Sequence, residues 1–275
     1  VNNLHRGLAP ISDAAWAQIE EEARRAFTRW VVGRRVVDVD GPAGVELSAV
    51  GTGHVRRLEE PAKGVTAHQR QAQLMVEFRT PFTVTRAAVD DVERGAKDSD
   101  WQPVKDAAQK AAEAEDRAIL HGFPDGGICG ITAVSAHRPL TLSPHPREMP
   151  DSVARALSTL RLAGVGGPYA LLLSADLYTT ASEETDHGYP ILDHLTRLVD
   201  GEILWAPALD GAMLLSTRGG DYTLHLGQDL SVGYLSHDAE EIQLYLEESL
   251  TFIPHATETG IALSIERNCQ DLWIG

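Results

Sequence analysis

The sequence predicts an α+β protein that depends on a neighbour for part of its stability. Helical periodicity is confined to a few long segments, period-two runs make up most of the rest, and no βαβ alternation links the two. One pair of extended runs also carries too little apolar surface to form a domain. The chain has 275 residues, 43% hydrophobic and 23% charged, which bounds it to about one or two domains with a sizeable core.

Residues 13 to 32 read as an amphipathic helix, with Trp16, Ile19, Ala23, Phe27, Trp30 and Val31 on one face. Ser12 and Asp13 cap its start and Gly33 is expected to supply a left-handed stop. Its two tryptophans leave open whether it packs on its own domain or on something external. From 36 to 86 the period changes to two. Extended runs near 45–58 and 70–85 flank the turn-rich Glu59-Glu60-Pro61-Ala62-Lys63-Gly64, giving a long hairpin. A two-stranded arm is marginal alone in water, so it needs a partner surface.

Residues 87 to 121 return to helix, broken near Gly95, with Asp98-Ser99-Asp100 as caps and Pro103 in the first turn of the longer piece. Its alanines suit a central packing rod. Glu113, Glu115 and Asp116 on this rod lack the Glu-x-x-His partner of a di-metal bundle and read as a solvated or Arg-paired face. Further on, a helix carries Val153, Leu157 and Leu160, a buried strand spans Tyr169 to Leu173, and a helix carries Leu192, Leu195 and Leu198. Strands are expected near 203–205, 213–216 and 222–226, and in 242–252, where Ile242, Leu244, Leu246, Leu250 and Phe252 share a face.

The net charge of −16 argues against nucleic-acid or anionic-membrane partners. No apolar run reaches the ~20 residues of a membrane helix. The first residues lack the apolar core of a secretory signal, so a cytosolic protein is expected. Cys129 and Cys269 have no metal-ligand or CxxC spacing, and Cys129 reads as a small buried thiol. His187 and His194 have no fixed spacing for a metal. No P-loop, zincin, dinucleotide or nucleophile-elbow signature occurs. A Ser/His/Asp triad is defined in space, so the sequence leaves that question open.

Four ordered segments carry a family resemblance. They are Asn2-Asn3-Leu4 through Ile11 with Trp16 and Gly33–Val39; Pro81-Phe82-Thr83-Val84 with Asp90–Gly95; Gly167-Pro168-Tyr169 with His187-Gly188-Tyr189-Pro190; and Ser216–Asp221 with Leu226–Tyr234. Together they resemble the encapsulins, the linocin or bacteriocin-like shell proteins of bacterial nanocompartments, and most of all the actinobacterial members. The resemblance implies the tailed-phage major capsid fold: an N-terminal helix and linker at 1–44, an extended arm at 45–80, a peripheral domain from 81–131 and 226–264, an apical domain at 132–225, and a tail at 265–275. It implies a non-enzymatic subunit that assembles with itself into an icosahedral shell of on the order of sixty copies or a multiple of that. Cargo such as a dye-decolourising peroxidase or a ferritin-like protein would dock through a C-terminal peptide.

By position in the family, Phe27, Val31, Arg34, Asp38, Asp229, Leu230, Ser231 and Val232 would form the cargo-peptide groove. Glu183, Glu184, Asp186, His187 and Tyr189 would line a pore at a symmetry axis. Ala87 stands where some members carry an aromatic residue, so no flavin and no other cofactor is expected. A soluble hydrolase and a small arm-swapped oligomer are the competing readings.

Overall fold

The computed structural model describes residues 3–143, 145–186 and 188–265. The expected pore residue His187, the Cys269 thiol and all but the first residue of the 265–275 tail lie outside the described residues.

Helix α1 (Asp13–Trp30) starts where the Ser12 hydroxyl accepts the Ala15 N–H at 3.2 Å. It buries Ala15, Trp16, Ile19, Ala23 and Phe27 within its own chain, so its apolar face is not reserved for an external partner. Gly33 does not supply a left-handed stop. The helix ends in extended backbone at Val31, and Gly33 opens a 3-10 turn. The glycine answers a different need: a Cβ there would meet Ile119 Cδ1 at 2.5 Å and Asp116 Oδ1 at 3.0 Å.

Strand β1 (Asp38–Asp40) follows, then β2 (Ala49–Ala62), β3 (Val65–Leu74) and β4 (Val76–Thr85). β2 and β3 pair only with each other and are exposed along most of their length. The hairpin reverses at Lys63-Gly64, within the expected turn-rich segment, with Gly64 at φ +80°. The expected run 70–85 splits at Met75. Leu74 remains 65% exposed in the hairpin, whereas β4 leaves it to pair with a long core strand. The paired hairpin therefore ends at Leu74.

Helix α2 (Arg86–Glu93) is capped by Thr85, and α3 (Gln102–Leu120) begins beside Asp100, whose carboxylate accepts the Gln102 N–H at 3.0 Å. Ala107, Ala108, Ala111 and Ala112 let α1 and the sheet approach α3 closely. Next come β5 (Gly122–Phe123), β6 (Ile128–Cys129), α4 (Ile131–Val134), β7 (Leu140–Leu142), α5 (Met149–Leu162) and β8 (Tyr169–Leu173). The Cys129 thiol is exposed rather than buried, because strand alternation in β6 turns Ile128 inward and Cys129 outward. Then follow α6 (Ala175–Glu183), β9 (Thr185–Asp186), β10 (Tyr189–Pro190), α7 (Ile191–Leu198) and β11 (Ile203–Trp205). The chain continues through β12 (Ala212–Ser216), β13 (Tyr222–Leu226), β14 (Ser231–His237), β15 (Glu241–Pro254) and β16 (Gly260–Ile265).

Two sheets dominate. In the first, β15 carries β4 on one edge and both β14 and β13 on the other, with β1 outermost beside β13. The second has the order β11-β8-β12-β16-β7. Strand pairing cuts across the expected domain boundaries at two strands. β13, placed with 132–225, belongs to the first sheet because it pairs with β15 and β1. β16, placed with 226–264, belongs to the second because it pairs with β12 and β7.

Three cores follow from strand alternation. Ile242, Leu244 and Leu246 of β15 pack on α1 and α3. Leu250 and Phe252 join Ala170, Leu172 and Met213 in a middle core that ties the two sheets together. Leu171 and Leu173 point the other way, onto α5 and α7. Gly33→Ala is expected to destabilise the protein by ~1–3 kcal/mol through overpacking against α3. The shift in the midpoint of chemical denaturation measures it.

Candidate functional site

The short turn after α1 aims Arg34 back across the helix end. Its guanidinium carbon lies 4.9 Å from the centre of the Phe27 ring. Nε and Nη2 donate to Glu115 of α3 at 2.8 and 2.6 Å, Nη1 donates to Asp229 at 2.8 Å, and Nη2 lies 3.3 Å from Glu248 of β15. Asp229 also accepts the Leu230 N–H, and the Ser231 hydroxyl donates to the Asp229 carbonyl. One cation thus fixes the chain immediately before β14.

Above this network lies a groove of about 460 Å³ between α1 and β14. Leu4, Ala23, Phe27, Leu230, Val232 and Leu246 give it apolar walls, Thr28 and Ser231 add hydroxyls, and Arg6, Glu20 and Arg24 stand along its rim. The rim charges are largely neutralised: Arg6 pairs with Glu20 at 2.5 Å and Arg24 with Glu21. The Leu4 carbonyl accepts the Tyr234 N–H at 2.9 Å, which pins the N-terminal segment to β14.

Six of the eight expected groove residues meet here: Phe27, Arg34, Asp229, Leu230, Ser231 and Val232. Val31 is packed into the core and does not line the cavity. Asp38 does not reach the groove. β1 runs parallel to β13, and the Asp38 carboxylate accepts the Gly220 N–H at 2.6 Å beside a different, smaller cavity. Sequence reading missed Leu4, Ala23, Thr28 and Leu246. Ala23 sits one turn before Phe27 on α1 and Leu246 lies on the apolar face of β15, so both had a signal; Leu4 had none.

Of the α3 acids expected to be solvated or Arg-paired, Glu113 is solvated and Glu115 pairs with Arg34, whereas Asp116 is neither. Glu113 is exposed, but Glu115 and Asp116 are buried. Asp116 accepts the Val32 and Gly33 N–H groups at 3.0 and 2.7 Å and so caps the start of the 3-10 turn that follows α1. Burial pushes its carboxyl up to about 7, against those two hydrogen bonds. Burial and the Glu115 charge likewise hold the Glu248 carboxyl well above the usual carboxylate range. Burial works against the charge of Arg34, but Glu115 and Asp229 outweigh it and raise its pKa. Among the described residues no group of acids, histidines and cysteines is placed to hold a metal ion.

The other expected cluster lies on α6 and the separate β9–β10 hairpin that follows it. Glu183 and Glu184 close α6, and Asp186 pairs with Tyr189 across the β9–β10 hairpin. Glu183, Glu184 and Tyr189 are exposed. Tyr189 meets the His194 ring edge-on at 6.3 Å and lies 5.9 Å from the Arg197 guanidinium.

Residues 1–251 match the family Linocin_M18, described as encapsulating protein for peroxidase. The type 1 encapsulin shell protein of Rhodococcus erythropolis is 59% identical over 264 residues, 96% of this chain and all of that relative. That of Mycobacterium tuberculosis is 55% identical with the same coverage. The chain belongs to the encapsulin shell-protein family. The fold of this encapsulin is also found in a virus-like particle from Pyrococcus furiosus, with a TM-score of 0.65 at 13% identity, covering 90% of this chain and 99% of that one. The capsid of a native GTA particle gives 0.55 at 13% identity, covering 85% and 89%. The phage-capsid architecture expected from the resemblance is therefore the fold observed. Among the described residues of the encapsulin no helix is long and apolar enough to cross a membrane.

The Asp116 carboxyl, ordinarily near 3.8, titrates at about 7 when folded. Between these values the unfolded chain has released the proton and the folded chain still holds it. This contribution to stability is therefore fully present below pH ~4 and is lost as pH rises toward ~7. Asp116→Asn should flatten the fall in melting temperature over that interval, measured side by side with the parent.

Proposed function

We propose that the chain is the subunit of a closed icosahedral compartment in the bacterial cytoplasm, and that cargo enzymes dock on its inner wall through the groove at Arg34. The observation that carries this reading is the form of the groove. Its apolar walls and paired rim charges suit an extended peptide of small and apolar side chains better than a charged one. Arg34 has committed its hydrogen bonds to three carboxylates of its own chain, so it shapes the floor rather than seizing an acidic ligand. The cargo is a peroxidase of the dye-decolourising type or a ferritin-like protein; the family description, with its reference to peroxidase, favours the first.

The arm supports closed assembly. Val55, Leu58, Val65 and Leu74 of the hairpin are all more than 40% exposed, so a second copy has apolar surface to cover. The β9–β10 hairpin with Glu183, Glu184, Asp186 and Tyr189 is assigned to a pore at a symmetry axis, where repeated carboxylates favour cations. The role is structural, and no observation favours the hydrolase alternative.

Sizing chromatography and negative-stain microscopy should show hollow particles; a stable single copy would overturn the proposal. Phe27 is a poor place to test the groove, because it is only 4% exposed and a charge there would strike the core. Thr28 is exposed at the groove wall, and Thr28→Arg should cut co-purified cargo by about tenfold, the scale of one lost anchor, with particle size unchanged. Undiminished cargo would move the docking site elsewhere. A Glu184→Ala/Asp186→Ala shell should admit divalent cations more slowly, read by a dye trapped inside.

A further inference from the structure

A second cavity, of about 920 Å³, opens between α1, α3 and the α6–β11 side of the second sheet. Its floor is aromatic. Trp30 at the end of α1 and Trp205 at the end of β11 lie with ring centres 4.9 Å apart and planes inclined at 52°, and Tyr178 of α6 stands beside them. Arg25, Arg29 and Lys105 line the same cleft, which opposes the acidic trend of a chain with net charge −16.

The cations are not equally free. Glu22 engages Arg25 at 2.7 Å and Lys105 at 3.5 Å. Asp106 is taken by the Gln102 amide at 2.7 Å. Among the described residues Arg29 has no ion pair and no hydrogen bond, and the same holds for the indole N–H groups of Trp30 and Trp205, the Tyr178 hydroxyl and the Gln109 amide. The cleft thus presents a set of unpaired donors arranged around aromatic rings, beside the already engaged carboxylates of Glu22 and Asp106. Unpaired donors of this kind, with a guanidinium among them, favour an anionic acceptor, and the rings favour a flat partner. The size suits a molecule of two or three fused or linked rings.

We infer that the cleft at Trp30, Trp205 and Arg29 is a binding site for a planar aromatic anion, with the rings holding its face and Arg29 its charge. The site is separate from the groove at Arg34, shares no lining residue with it and does not depend on its function.

The test uses assembled particles and two probes of similar apolar bulk, the anion 8-anilinonaphthalene-1-sulfonate and the neutral N-phenyl-1-naphthylamine. The anion should saturate at one site per subunit, and the neutral probe should bind about tenfold more weakly or worse, the scale of one lost charge-assisted hydrogen bond. Arg29→Glu and Trp205→Leu should each weaken the anion by a similar factor, while Arg94→Glu, just past the end of α2 and outside the cleft, leaves it unchanged. Arg29 is exposed, so its variant is expected to assemble; if Trp205→Leu fails to assemble, Arg29→Glu decides alone. Equal affinity for the two probes would overturn the inference. So would an Arg29→Glu particle that binds the anion as well as the parent does.

Discussion

A single guanidinium holds the first sheet, the central helix and the N-terminal helix in register. Arg34 lies between Glu115 of α3, Glu248 of β15 and Asp229 ahead of β14, with Phe27 of α1 against its face. Burying one cation with two carboxylates is costly in a medium of low polarisability, and mutual pairing only offsets the cost. Such a network contributes less to stability than to uniqueness of arrangement. It works only when all four elements sit where they do, which makes the groove above it a consequence of the packing beneath.

Asp116 completes that arrangement from the same helix. It takes the two amide hydrogens that α1 cannot satisfy as the chain leaves it, and Gly33 allows the approach because any side chain there would collide with Ile119. The two acids adjacent on α3 thus divide the labour: one neutralises a side chain, the other caps a backbone. Glu115 follows the expectation of an Arg-paired acid, whereas Asp116 is buried on backbone N–H groups.

Much of the fold was legible because its strongest elements are governed by local periodicity. Trp16, Ile19, Ala23 and Phe27 mark α1, the unbroken Tyr169–Leu173 marks a strand buried on both faces, and the alternation from Ile242 to Phe252 marks the strand at the middle of the first sheet. What local pattern does not contain is the partner. β13 and β16 are short strands whose composition fits either sheet, and only long-range pairing assigns them. The split of 70–85 at Met75 has the same origin. Most of the groove was placed through family resemblance and not through periodicity. Asp38 was lost because two residues past a tight turn decide which way a side chain faces. Cys129 was misjudged because a two-residue strand offers no period to read.

The fourteen residues of β15 have one further property. On one edge they hold β4, which continues from the exposed hairpin after a single intervening residue; on the other they hold β14, which forms a wall of the groove. Hydrogen-bonded strands are stiff along their length, so tension applied at the hairpin tip has a direct mechanical route to that wall. Whatever grips the outstretched hairpin therefore also pulls on the pocket wall, with a lone shared strand as the lever.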